Sequence, residues 1–146
     1  PTLFSRAPLF PIVGNHDYLT DLATPYLDIF DLPQNAWRPQ DRERYYSFDY
    51  GNVHFVALDT DRPLWVNDAA ADDDMFDWLR HDLAHTPQRW KIVAMHVPAY
   101  STGFHRRDSE ILSQPKLPPI FDAYGVDQHD GDVRNLFTRV GVRACQ

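Results

Sequence analysis

The sequence predicts a layered α/β fold, with sheet packed beneath flanking helices, and three observations carry that expectation. Two short apolar runs, Leu9–Val13 and Trp90–Met95, have the length of buried strands, and each stops at polar residues. Between them, Tyr45–Tyr50 and Val53–Asp59 are rich in aromatic and β-branched residues and flank Gly51-Asn52, a hairpin signal. Met75, Phe76, Leu79 and Leu83 then recur at helical spacing before Pro87. Alternating strand and helix patterns mark α/β layers.

Taken in order, the proline-flanked lead Pro1–Pro11 runs into the first strand, and the Gly14 loop follows. Leu22, Tyr26, Leu27 and Phe30 share one stripe, so a helix is expected over Leu22–Phe30, with Pro25 early enough to be tolerated near its first turn. Leu32–Arg44 carries Pro33, Asn35, Pro39 and mixed charges and reads as a surface loop. The two hairpin strands are expected to be central. Asp72-Asp73-Asp74 stand where negative charge favours a helix N-terminus, and a calcium loop would need alternating oxygen ligands, a glycine and a closing glutamate that are absent. His81 and His85 fall largely away from the apolar stripe, on an exposed polar face. Asp82 between them is one methylene shorter than the glutamate of a His-Glu-x-x-His zinc site. His54, inside an apolar strand, reads as a satisfied or solvent-facing histidine. Pro118–Tyr124 suggests a short helix, and Gly125-Val126-Asp127 leads toward a further strand.

A chain of 146 residues, 43% hydrophobic and 14% aromatic, can bury one sizeable core, so a single domain or part of one is expected. The net charge of -7 and the absence of any Lys/Arg cluster longer than Arg106-Arg107 argue against a nucleic-acid surface. The single cysteine, Cys145, excludes an internal disulfide. No apolar run approaches the roughly 20 residues of a membrane span, and no signal peptide is visible. The chain opens on Pro1, so any targeting segment would lie upstream.

Gly14-Asn15-His16-Asp17 delivers an amide, an imidazole and a carboxylate in succession at an apparent strand end, which is either a turn or a site. The second run, ending at His96, favours a site, because ligands collect beyond the carboxyl ends of strands in layered α/β folds. Gly14–Asp17 match the pattern Gly-Asn-His-Asp/Glu and Val93-Ala94-Met95-His96 match Val-x-x-His, in order and with Tyr45–Asp59 and Trp78-Leu79 between them. With these motifs the chain resembles the calcineurin-like metallophosphoesterases, within them the purple acid phosphatase-like branch, over roughly Pro8 to Asp127.

The resemblance implies a part of a sandwich of two packed β-sheets flanked by helices, with residues 1–127 as the central part of the domain and 128–146 as a divergent tail. It implies hydrolysis of small-molecule phosphoesters with two metal ions, iron, zinc or manganese, that acidify water and neutralise phosphoryl charge. Asn15 and His96 would be metal ligands. His16 would donate to the leaving oxygen and Asp17 would orient it. His105, nine residues beyond His96, either faces the substrate phosphate or is an exposed loop residue. A secreted or periplasmic location is compatible with such a relationship.

The family pattern continues after a segment like Phe121–Asp127 with an apolar strand and Gly-His-x-His, whereas this sequence has Gln128-His129-Asp130-Gly131-Asp132. The first two family motifs, Asp-x-His and Gly-Asp-x-x-Asp/Tyr, are absent as well. The expectation is therefore an incomplete enzyme with little activity of its own. Two alternatives stand beside it: a non-catalytic scaffold that binds phosphate or a partner, and a metal-binding or redox module.

Overall fold

The computed structural model describes residues 7–66, 69–102, 106–108, 110 and 115–126. Its elements are α1 (Asn15–Tyr18), α2 (Thr24–Ile29), β1 (Tyr46–Tyr50), β2 (Val53–Leu58), α3 (Arg62–Trp65), α4 (Ala69–His85), β3 (Trp90–Met95), α5 (Arg106–Asp108) and α6 (Leu117–Tyr124). The described strands form one mixed sheet in the order β1-β2-β3, with β1 antiparallel to β2 and β2 parallel to β3. The expected α/β class holds. β2 is the central strand as expected, while β1 lies at an edge.

Alternation along the strands divides the core in two, because successive side chains of a strand point to opposite faces. Tyr45, Val56, Leu58 and Val93 pack with Met75, Phe76, Leu79 and Leu83 of α4 and with Leu117, Ile120 and Phe121 of α6. Tyr46 and Ala57 pack on the other side with Val13, Tyr18, Ala23, Tyr26 and Leu32. The sheet is thus covered on both faces, which explains the near-continuous apolar run of β2. Gly51 turns the hairpin at φ +62, a left-handed conformation that glycine adopts without strain.

Several expectations change. Leu9–Val13 forms no strand among the described residues. Pro11 has no N–H for a ladder, and its carbonyl accepts hydrogen bonds from the hydroxyls of Tyr26 (2.9 Å) and Tyr46 (2.6 Å). The helix expected from Leu22 begins only at Thr24, because Asp21, Leu22 and Ala23 have positive φ. Leu22 is accordingly exposed, while Tyr26 is buried and Pro25 occupies the first turn. α4 starts at Ala69, ahead of the aspartate run. Asp73 instead pairs with Lys116 and Asp74 with Arg38, tying the helix to its neighbours. α6 forms as expected and ends at Gly125, φ +64, with the Val126 N–H returning to the Phe121 carbonyl (3.0 Å). His105 and residues 128–146, including Gln128–Asp132, lie outside the described residues.

His81 and His85 are exposed, as their spacing predicts. Asp82 between them turns inward and accepts hydrogen bonds from Ser47 Oγ (2.9 Å) and His54 Nε2 (2.7 Å). The other His54 nitrogen lies 2.7 Å from Asp49 Oδ1, so one buried imidazole clamps α4 to the hairpin. Two carboxylates on two ring nitrogens require both nitrogens to donate, which only the imidazolium does. Burial opposes that charge, but the bonds to Asp82 and Asp49 outweigh it and raise the His54 pKa. A raised folded-state pKa gives stability that is complete below the unfolded value, about 6.5, and is lost as pH rises through the folded value. His54→Gln is therefore expected to cost about 2 kcal/mol near pH 5.5 and clearly less near pH 8.5, read by urea denaturation at both pH values. An equal cost at the two would show that the clamp is not charged.

Candidate active site

The parallel strands β2 and β3 end side by side, Leu58 opposite Met95, so the residues that follow them are neighbours. After β2 come Asp59, Thr60 and Asp61, all buried; after β3 comes His96, half exposed. The N–H of Val97, next to His96, donates to Thr60 Oγ1 at 2.9 Å and joins the two chain ends. His96 Nδ1 lies 2.8 Å from Asp61 Oδ2. That carboxylate raises the His96 pKa against the opposing effect of burial, and Asp17 adds to it.

The third segment is Gly14–Tyr18. It forms the single helical turn α1, in which the Asp17 N–H bonds the Gly14 carbonyl (3.0 Å) and Asp17 Oδ2 accepts the Gly14 N–H (2.9 Å). Tyr18 anchors the turn from beneath. Its buried hydroxyl donates to Asp59, and Arg44 Nη1 donates to the same hydroxyl at 3.1 Å. The Arg62 N–H also reaches Asp59, at 3.1 Å. Burial pushes the Asp59 carboxyl up to about 7, with the Tyr18 bond, Arg44 and the Arg62 amide pulling the other way. Burial first, and Asp59 second, hold the Tyr18 phenol well above its ordinary value.

With α1 pinned there, Gly14 lies flat against the His96 ring. A Cβ at position 14 would stand 2.8 Å from Cδ2 and 3.2 Å from Nε2. Glycine is required here for close approach, since its φ of -132 is open to any residue. The Gly14–Asp17 turn and His96 therefore border one surface, with Asn15 half-buried and His16 exposed beside it.

The described hydrogen bond of Asp17 holds the Gly14 amide and so shapes the turn that carries His16. The residues missed in the sequence are Asp59 and Asp61. The signal was present, because an apolar strand that ends in Asp-Thr-Asp obeys the same rule that drew attention to His96. Among the described residues no group of three or more His, Cys, Asp or Glu side chains is arranged to hold an ion. An imidazole backed by a carboxylate is nonetheless the donor chemistry of a metal ligand, and an adjacent amide oxygen can supply a second.

Gly14→Ala tests the convergence. The added methyl meets a half-exposed ring that can yield only by loosening its Asp61 contact, so the fold should survive while the His96 ring resonances shift in the NMR spectrum. Unchanged His96 resonances would show that the two segments do not touch.

Residues 2–129 match the family described as calcineurin-like phosphoesterase. Among curated proteins, the chain is 29% identical over 133 residues to purple acid phosphatase 15 of Arabidopsis thaliana, covering 86% of this chain and 24% of that protein. It is 28% identical to purple acid phosphatase 23 of the same plant, again over 86% of this chain and 28% of that protein. It is also 27% identical to the plant's probable inactive purple acid phosphatase 9, over 73% of this chain and 20% of that protein. The chain thus spans about a quarter of the length of these relatives. No solved structure gives a significant match. No described helix is long and apolar enough to cross a membrane. With a family match over most of its length and the Gly14 and His96 motifs meeting at one surface, this chain belongs to the calcineurin-like phosphoesterase family.

Proposed function

We propose that the complete protein is a metal-dependent phosphoester hydrolase and that this chain contributes part of its active site. The observation that supports this most is the packing of Gly14 against His96, which gathers two separate motifs on one surface. Asn15, through its amide oxygen, and His96, through Nε2, would hold metal. Bound metal ions, two in the full centre, would supply Lewis-acid neutralisation of phosphoryl charge and acidify water. His16, exposed beside Asn15, would meet the substrate from solvent and donate a proton or hydrogen bond to the departing oxygen. Asp17 holds the turn that presents it. His105 is proposed to face the phosphate.

Two neutral side chains are a poor match for two dications, so the isolated chain is expected to turn over phosphoesters slowly or not at all. The same observation supports a second reading, a scaffold that binds phosphate or a partner without catalysis. That reading gains weight from the relative named as probably inactive.

Substitution in the full-length protein separates the roles. Asn15→Ala should lower metal content, measured by elemental analysis. His16→Ala should keep its metal and lose on the order of 10²–10⁴ in turnover of alkyl phosphates, with a smaller loss for nitrophenyl phosphate, whose leaving group needs no proton. Equal losses on both esters would assign His16 to phosphate binding. Full-length protein with bound metal and no turnover would favour the scaffold reading.

A further inference from the structure

Asp61 has no role in the proposed reaction, yet it is a buried carboxylate in contact with His96. Its residue is 1% exposed, whereas the His96 side chain is 46% exposed. Its Oδ2 lies 2.8 Å from Nδ1, close enough for a direct charge contact though off the line of an ideal hydrogen bond. A ring turned over about its axis would set the Cδ2 carbon against that oxygen and leave the buried carboxylate facing a C–H group. The carboxylate therefore selects one ring orientation. It also selects one neutral tautomer, because a lone pair on Nδ1 would face a negative oxygen.

With Nδ1 occupied, the lone pair falls on Nε2. That atom lies beside Gly14, 3.2 Å from where a Cβ would stand, and Asn15 follows directly. The end of β3 is meanwhile held in register by the Val97–Thr60 bond, so His96 is fixed at its backbone by Thr60 and at its ring by Asp61. We propose that Asp61 is a positioning residue that holds His96 as the Nδ1–H tautomer and presents the Nε2 lone pair at the Gly14-Asn15 corner, ready to bind a cation. The function of that lone pair rests on the proposed metal-ligand role of His96; the tautomer does not.

The test uses ring-nitrogen NMR of the purified chain at a pH where the imidazole is neutral, together with titration by zinc chloride. The wild-type ring should carry its proton on Nδ1. The isosteric Asp61→Asn can offer an N–H to Nδ1 and should move the proton toward Nε2. Zinc affinity should fall roughly 10–100-fold in the same variant, the usual loss when a partner behind a metal-binding histidine is removed. Wild-type protonation on Nε2 would overturn the proposal without any variant. So would an Asp61→Asn chain, folded by circular dichroism, with an unchanged tautomer. Absence of zinc uptake by the wild-type chain, with the proton on Nδ1 in the wild type and moved in Asp61→Asn, would uphold Asp61 as the positioning residue and overturn the claim that the lone pair binds a cation in this chain.

Discussion

The hydrogen bond from the buried Tyr18 hydroxyl to Asp59 is the constraint on which the site depends. Asp59 sits at the end of the central strand, where isolated negative charge would cost several kcal/mol, and the phenol, Arg44 and the Arg62 amide offset that cost. Tyr18 is the last residue of α1, so fixing its hydroxyl fixes the turn above it. Trp65 of α3 stacks along the Tyr18 ring at 6.1 Å and adds apolar burial to the same anchor. Together with the Tyr26 and Tyr46 hydroxyls on the Pro11 carbonyl, this phenol holds the segment that ends in α1 against the carboxyl ends of the strands.

The sheet itself is an indifferent scaffold that becomes specific at its carboxyl ends. Apolar alternation covers it on both faces, and nothing in that packing refers to phosphate. Polar side chains gather where β2 and β3 stop, at Asp59, Thr60, Asp61 and His96. At the opposite end of β2, the His54 clamp joins hairpin to α4 without touching the candidate site. Buried charge thus has two distinct uses in this chain. One arrangement fastens layers, and the other aims a half-exposed imidazole outward.

Much of this was legible in the sequence, because the signals were local. Gly51-Asn52 announced the hairpin, the spacing of Met75, Phe76, Leu79 and Leu83 announced α4, and His96 stood visibly at a strand end. Less legible were features whose cause lies across the fold. Leu9–Val13 has the composition of a strand, yet Pro11 spends its carbonyl on two tyrosine hydroxyls from distant segments. Asp82 drew attention only as a poor match to a zinc-site glutamate, whereas in the fold Ser47 and His54 donate to it. The helix of the second apolar stripe starts late because three successive residues adopt positive φ, which their side chains do not announce. Asp61 could be noticed from its position after β2, but its partner His96 is brought to it only by the crossover through α3 and α4.

The central claim is that the Gly14–Asp17 turn and the end of β3 form one cation-binding corner. The most direct measurement is paramagnetic broadening of amide resonances as manganese(II) is added to the purified chain. The account predicts that resonances of Gly14–Asp17 and of Met95–Val97 broaden together and early, while those around His54 and His81–His85 persist. Broadening of only one of the two segments, or broadening centred on His81 and His85, would contradict it.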